Sequence, residues 1–240
     1  MDEIKIVDTT LRDGNTSLWA HNMTTGMMHP ALRHMDQAGF DAMEFFVAGR
    51  FKKVIREQLD NPWEWVRYGQ KEINNTQLRY HGGLTGGFIL SPLCIPRLLL
   101  KLVIGYGINM TRLSDPWNDY DELKGEVEEL RSMGMTSVVN LIYSISPRHT
   151  DEYYARKARE AAAMKPYRLC FKDVAGMLTP DRTYTLAKLV LENVGDVPVE
   201  FHAHCNNGLA PFNVLEAVKA GIRIVHTAIP PLANGSAQPS

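Results

Sequence analysis

The fold is decided by the segment LCFKDVAGMLTPDRTYTLAKLVLENVGDVPVEFHAH, residues Leu169–His204. It opens on an apolar strand pattern, turns through a glycine into a helical pattern over Pro180–Asn193, and closes on a second strand pattern. Two strands joined by a helix lie parallel in one sheet, because parallel strands need a crossover connection. The segment therefore predicts part of a parallel sheet.

The same alternation runs along the whole chain. Strand patterns cover Lys5–Asp8, Phe40–Val47, Gln77–His81, Ile108–Leu113, Thr136–Tyr143, Tyr167–Phe171, Val197–His202 and Arg223–Ala228. Helical patterns cover Thr24–Gln37, Phe51–Lys71, Ile95–Gly105, Asp119–Met133, Thr150–Met164, Pro180–Asn193 and Leu209–Ala220. Eight strands with helices between them favour an α/β fold of the closed (β/α)8 TIM-barrel type over an open sheet. The last helix is missing from the pattern, since the chain ends soon after the eighth strand.

Length and charge narrow the classes of function. A chain of 240 residues that is 45% hydrophobic suits one domain, over residues 1–240, with a large core. A net charge of −1 predicts no nucleic-acid partner. The apolar stretch over residues 86–107 is interrupted by prolines and charges, which argues against direct membrane insertion. The charged start MDEIKIVDTT is unlike a signal peptide, and three cysteines at unrelated spacings predict a cytoplasmic protein.

Reactive side chains follow most of the strand patterns. In a parallel barrel these positions meet at one end, where the loops after the strands carry the chemistry. The residues concerned are Asp8, Arg12, Asp13, His81, Asp115, Asn118, Asp119, Lys172, Asp173, His202, His204, Ser236 and Gln238. The sequence therefore predicts a functional site at this end of the barrel.

The pair His202 and His204 indicates a metal site. Residues two apart on a strand point to one face, and two imidazoles with a carboxylate such as Asp13 make a ligand set for a divalent ion. The alternative is that both histidines bond to loop backbone. Lys172 is harder to interpret, because an ammonium has no lone pair to offer. From the residues alone, a salt bridge of Lys172 to Asp173 or Asp13 is the alternative.

Several motifs together resemble one family. DTTLRDG, LCFKDVAG, FHAH and TAIPPLANGSAQPS are similar to the carboxyltransferase domain of pyruvate carboxylase, the oxaloacetate decarboxylase α subunit and the keto-acid subunit of transcarboxylase. FKKVIREQLDNPWEWV and DPWNDYDEL follow the same family's pattern. The resemblance covers nearly the whole chain and implies one carboxyltransferase-like TIM-barrel domain.

The resemblance also implies a set of site residues. In the family the lysine at the position of Lys172 is carbamylated by CO2, and the carbamate ligates a metal. The implied ligands of a Zn, Mn or Co ion are Asp13, carbamylated Lys172, His202 and His204. Ser236 stands where the family has a threonine that shuttles a proton between biotin and an enolate, and Arg56 stands where it binds the substrate carboxylate. Ser236, Lys172 and Asp13 are the implied catalytic residues. The alternatives are a loop hydroxyl for Ser236 and a helix-surface arginine for Arg56.

Three positions, Thr16, His81 and Cys205, depart from the residues that are usual in the family. The family usually has a glutamine at the position of Thr16, which Asn15 precedes, and an arginine at the position of His81. Cys205 replaces an acidic or polar residue. The substrate-binding set expected from the resemblance is Arg56, Thr16, Asn15 and His81, in a pocket altered from that for pyruvate.

The expected function is metal-dependent, biotin-linked carboxyl transfer to, or decarboxylation of, a small 2-keto acid or ketone. The segment HAHCNNGLAPFN leans toward isopropylmalate synthase, so a C–C bond lyase or acyl-CoA condensing enzyme of that and the HMG-CoA lyase type stays open. A non-catalytic scaffold subunit is the third alternative. Lys172 favours the first, because the lyases have no corresponding lysine.

The expected partners follow from the resemblance and from the missing helix. Biotin is expected on another chain, because Ala163-Met164-Lys165 ends a helix and does not lie on the hairpin of a biotin-attachment domain. A biotin carrier protein and a biotin carboxylase subunit are the implied partners. Without the last helix, the apolar residues Ile224 or Val225 and Ala228 are expected to lack cover. This predicts either that the chain is a fragment of a longer protein, or that a second subunit, as in a homodimer, covers the gap.

Overall fold

Eight short strands close into a parallel barrel in a computed structural model that describes residues 3–84 and 92–240. Each strand pairs with the next along the chain, and β1 pairs with β8 to close the ring. The strands are β1 Lys5–Asp8, β2 Ala42–Val47, β3 Gln77–His81, β4 Met110–Leu113, β5 Thr136–Ile142, β6 Arg168–Asp173, β7 Val199–Ala203 and β8 Ile224–Thr227. The predicted TIM barrel is confirmed.

Helices connect the strands in the described residues. They are α1 Asn15–Trp19, α2 Thr25–Met28, α3 Leu32–Asp36, α4 Gly49–Arg56, α5 Pro62–Glu72, α6 Cys94–Gly105, α7 Tyr120–Ser132, α8 Asp151–Ala163, α9 Pro180–Asn193 and α10 Ala210–Ala220. A π-helical turn covers Thr10–Gly14, and a 3-10 turn covers His29–Ala31. None of these helices has the length and apolarity that crossing a membrane requires.

Two predicted helices are each broken by a proline. The pattern over Phe51–Lys71 is two helices, because the side chain of Asn61 caps the backbone NH of Trp63 and Pro62 starts α5. The pattern over Thr24–Gln37 is interrupted by the 3-10 turn that contains Pro30. The short helix α1 was not predicted, since no amphipathic period marks it.

No helix follows β8 in residues 228–240, as predicted. This segment instead folds back over the carboxyl end of the barrel. The backbone NH of Cys205 donates to the carbonyl of Ala237 at 2.8 Å, and Ala228 donates to Pro239 at 2.9 Å. Gln238 is fully buried as a result.

The expected exposure of the last strand is wrong. Ile224, Val225 and Ala228 are all buried. Ile224 packs inside the barrel with Val7 and Ala42, because it lies on the inward face. The exposed apolar residues nearby are instead on or before β1, where Ile4 and Ile6 are 38% and 37% exposed.

The barrel interior is charged. Aliphatic and aromatic residues fill the space between strands and helices, but the inward positions of β2, β3, β4 and β7 carry Glu44, Arg79, Arg112 and Glu200. Arg79 holds Glu200 with two bonds, at 2.7 and 3.1 Å, and Arg112 bonds Glu44 at 3.0 Å. The charges are buried because they are paired.

Two segments used in the sequence analysis lie in part outside the described residues. They are residues 86–91 of the interrupted apolar stretch and residues 1–2 of the charged start.

Candidate active site

Asp13 enters the site on the π-helical turn that follows β1. Its Oδ1 atom accepts a bond from the Ser17 hydroxyl at 2.8 Å, and its Oδ2 atom accepts one from Arg12 at 2.9 Å. Gly14 allows this turn to pass the C-terminal segment, because a Cβ there would lie 2.5 Å from the carbonyl oxygen of Leu232. Burial raises the pKa of Asp13, but Arg12, His204 and Lys172 outweigh it and hold the pKa well below its usual range. The carboxylate is therefore ionised.

His202 and His204 face Asp13 from the end of β7. Their Nε2 atoms lie 3.5 and 3.7 Å from Asp13 Oδ2, and the two rings are 5.1 Å apart between centroids. The three side chains form a buried group whose ligand atoms lie within 4.8 Å of one another. Burial, above all, lowers the pKa of both histidines, with Arg112 adding to the effect on His202. Both rings are neutral at pH 7, which is the form that ligates metals.

The other ring nitrogens of the two histidines are held by neighbours. His204 Nδ1 lies 2.6 Å from the backbone carbonyl of Ser236, to which it donates. His202 Nδ1 lies 2.9 Å from Nδ1 of His226. The alternative to a metal site was that both histidines bond to loop backbone. Only Nδ1 of His204 makes such a bond, and the Nε2 atoms of both rings face Asp13.

Lys172 lies at the end of β6, directly beside His202 in the strand register. Its side chain is buried, and burial together with Arg112 lowers its pKa to about 8. Asp173 is not its partner, because that carboxylate accepts bonds from the backbone of Met177 and Leu178 at 3.1 and 2.7 Å. Lys172 is therefore a buried amine that loses its proton more readily than an exposed lysine, and it lies next to the three-residue group.

His81 is the predicted substrate residue that reaches this region. Burial lowers its pKa well below the usual range, and the positive charges of Arg112, Arg12 and Lys172 lower it further. The Nδ1 atom of His81 is buried and has no hydrogen-bond partner among the described residues. A neutral imidazole is thus available at the mouth of the barrel.

The structure does not bring the other three predicted substrate residues into the buried group. Arg56 is exposed at the C-terminal end of α4. Asn15 is fully buried, where its amide contacts the sulfur of Met28 at 3.6 Å. Thr16 donates to the carbonyl of Arg12 at 2.5 Å. Their assignment as substrate-binding residues stays a prediction.

Ser236 lies beside His204 through its backbone, and its hydroxyl donates to the carbonyl of Ser17 at 2.7 Å. The C-terminal segment also brings Gln238 to the site. Its Oε1 atom accepts from Thr9 at 2.8 Å, and its amide nitrogen lies 3.1 Å from His202 Nε2. The segment after β8 therefore helps to position His202 and His204.

Other polar residues at this end of the barrel have structural partners. Asp115 accepts from the backbone of Trp117 and Asp119, and Asp119 caps α7. Asn118 is buried and bonds the backbone of Ile142 in both directions. These residues shape the loop after β4.

Sequence reasoning missed four residues that support the site, namely Glu44, Arg112, Glu200 and His226. All four are fully buried and face the barrel interior. A signal for Glu200 was present in the sequence, because it lies two residues before His202 on one strand and so shares its inward face. His226 and Glu44 stand among apolar residues, and their partners come from other strands.

Comparisons with known proteins show similarity to one family along the chain. A family model described as HMGL-like matches residues 114–235, just over half of the chain. A pyruvate carboxylase subunit of Methanocaldococcus jannaschii is 35% identical over 98% of this chain and 42% of its own length. The 2-oxoglutarate carboxylase large subunit of Hydrogenobacter thermophilus is 31% identical over 99% of this chain and 37% of its own length.

A solved structure matches over the same range. The carboxyl transferase domain of Rhizobium etli pyruvate carboxylase with pyruvate superimposes with a TM-score of 0.91 at 25% identity. The match covers 100% of this chain and 42% of that one. This chain thus spans less than half the length of each of these relatives.

Proposed function

This chain belongs to the HMGL-like family, and we propose that its site carries out metal-dependent carboxyl transfer to, or decarboxylation of, a small 2-keto acid or ketone. The observation that carries the proposal is the convergence of Asp13, His202 and His204 with a buried amine, Lys172, beside them. The relatives named for pyruvate and 2-oxoglutarate carboxylation support a keto acid as the substrate class.

The residues fit a divalent metal. One ionised carboxylate and two neutral imidazoles, each with its Nε2 atom facing that carboxylate, are ligands that Zn, Mn and Co accept. The second nitrogen of each ring has a neighbour that fixes its orientation, as in established metal sites. A bound divalent ion would act as a Lewis acid on the ketone oxygen of the substrate, so that a proton can leave the adjacent carbon.

Lys172 completes the ligand set as a carbamate. The neutral amine attacks the carbon of CO2, an N–C bond forms, one C=O π bond becomes an anionic oxygen, and the nitrogen loses a proton to solvent. A pKa of about 8 favours this reaction, because far more of the amine is neutral than for an exposed lysine. The product carries the negative oxygen that an ammonium lacks.

The substrate carboxylate requires a positive neighbour. Arg12 and Arg112 lie buried beside the site, and His81 offers a free ring nitrogen. We propose His81 as a substrate contact and Ser236 as the proton shuttle toward biotin. Arg56, Thr16 and Asn15 stay predictions as further substrate contacts.

Biotin is proposed to arrive on a carrier protein, carboxylated by a biotin carboxylase subunit, with the reaction in the cytoplasm and the barrel acting as a homodimer. We also propose that residues 1–240 form a single domain. The relatives' names, which include carboxylase subunits, support a multi-subunit enzyme.

The family match favours a second candidate, because the HMGL-like description fits a C–C bond lyase or acyl-CoA condensing enzyme. One assay separates the two. The zinc- or manganese-loaded chain is incubated with oxaloacetate, with and without free biotin, beside metal alone and the His204→Ala variant. Carboxyl transfer predicts decarboxylation that biotin stimulates and that the variant lacks. A rate equal to that of metal alone would contradict it.

A further inference from the structure

We propose that His226, held by Glu200, is a positioning residue for the metal centre, which fixes the ring nitrogen on which His202 carries its proton. The inference rests on the proposed metal site. Glu200 on β7 and His226 on β8 form a residue pair in the barrel interior, behind the proposed ligand His202.

His226 links a carboxylate to a ligand. It is fully buried on β8 and faces inward. Its Nε2 atom lies 3.1 Å from Glu200 Oε1, and its Nδ1 atom lies 2.9 Å from His202 Nδ1. Two ring nitrogens at this distance share one proton, so one of them donates and the other accepts.

The direction of donation follows from Glu200. Arg79 binds that carboxylate through two bonds, at 2.7 and 3.1 Å, so Glu200 is ionised and only accepts. In its neutral form His226 therefore donates from Nε2 to Glu200, which leaves a lone pair on its Nδ1. That lone pair accepts the Nδ1 proton of His202, and the Nε2 atom of His202 keeps its lone pair toward Asp13.

The contacts from Glu200 through His226 to His202, called the relay below, are part of a larger buried network that also reaches Asp13. Glu44 lies between Arg12, Arg112 and Arg79, with its Oε1 atom 3.9 Å from Arg79. The contacts in order join Asp13, Arg12, Glu44, Arg79, Glu200, His226 and His202. Two of the proposed ligands, Asp13 and His202, are thus the two ends of one chain of charged and neutral polar side chains.

Two substitutions of His226 separate the two contacts. In His226→Asn the amide oxygen replaces Nδ1, so the acceptor for His202 remains while the bond to Glu200 is lost. In His226→Gln the amide nitrogen replaces Nε2, so the bond to Glu200 remains while the acceptor for His202 is lost. We expect His226→Gln to weaken zinc binding by about 10- to 100-fold and His226→Asn to weaken it less. The measurement is the zinc dissociation constant by competition with a chromogenic chelator.

His29→Gln is the matched control, because His29 Nε2 also contacts a glutamate, Glu72, at 2.7 Å, but this pair joins the 3-10 turn to α5 and does not contact His202. It should bind zinc as the wild type does. Equal zinc affinity in His226→Gln and wild type, or equal losses in both His226 variants, would overturn the relay. A wild-type chain without zinc affinity would overturn the metal centre itself, which distinguishes the two failures.

A measurement on the metal-free wild type needs no variant to fold. Long-range ¹H–¹⁵N NMR reports which nitrogen of each histidine carries the proton. The relay predicts a protonated Nδ1 and an unprotonated Nε2 for His202. The opposite tautomer would refute the proposal.

Discussion

The Oδ2 atom of Asp13 lies 3.5 Å from the Nε2 atom of His202, although the two residues come from near opposite ends of the chain. Closure of the barrel makes this contact. β1, which precedes Asp13, pairs with β8, and β8 pairs with β7, which carries His202. The candidate site therefore exists only in the closed barrel.

The two histidines should be required for metal binding. We expect His202→Ala or His204→Ala to lose most of the bound divalent ion, because each removes one of three converging ligand atoms. The exposed His34→Ala is the control and should keep the metal. Elemental analysis of the purified proteins is the measurement, and full occupancy in both site variants would remove the site.

Lys172 should carry a carbamate. We expect a carbamate carbon signal in ¹³C NMR after incubation with ¹³C-bicarbonate, which Lys172→Ala lacks and the control variant Lys188→Ala keeps. Lys172→Ala should lose activity, and short carboxylic acids should restore part of it by filling the gap. An active, metal-loaded wild type with an unmodified Lys172 would contradict the prediction.

Asp8 should make stability depend on pH. Burial raises its pKa to about 7, so between about pH 4 and 7 the folded state binds a proton that the unfolded state has lost. Its contribution to stability is present below pH 4 and is lost as the pH rises through 7, a change of about 4 kcal/mol. The Asp8→Asn substitution should remove this loss of stability with rising pH.

The measurement is urea unfolding of wild type and Asp8→Asn from pH 4 to pH 8. The difference in unfolding free energy, variant minus wild type, should rise with pH across this window. Asp196→Asn, at an exposed acid, is the control and should follow the wild type. A difference that stays constant for Asp8→Asn would show that burial does not shift this carboxyl.

The interior charge network should be sensitive to the loss of one member. Glu44→Gln leaves Arg112 buried without its counter-charge and leaves Arg12 with Asp13 alone, which should cost about 3–5 kcal/mol in unfolding free energy. Glu57→Gln is the control, because Glu57 pairs with Lys53 at the surface and should change stability by less than about 1 kcal/mol. Similar costs for both variants would contradict the argument.

Much of the fold was predictable from the sequence. β1 and β3 have the predicted bounds, because each strand pattern stops abruptly at polar residues. α9 was also predicted with its bounds, since Thr179 caps it and Pro180 starts it. The break before α5 was missed because the apolar period continues across Pro62.

The site was predictable only in part. The two-residue period of a strand predicted that His202 and His204 share one face. Because the carboxyl ends of the strands meet at one end of a barrel, Asp13 was predicted to lie near them. The partners Glu44 and His226 could not be predicted, since their contacts join strands that are far apart in sequence and no local pattern records them. The fold-back of Gln238 follows from tertiary packing of a segment that has no regular period.

The proposed site should remove a proton from the carbon next to the ketone of a 2-keto acid. The direct test is ¹H NMR in D2O of pyruvate and 2-oxoglutarate with the zinc-loaded chain. We expect loss of the signal from the protons on the carbon beside the ketone, at a rate that falls to background in His204→Ala. A wild-type chain with full zinc occupancy that exchanges these protons no faster than His204→Ala, for either keto acid, would contradict it.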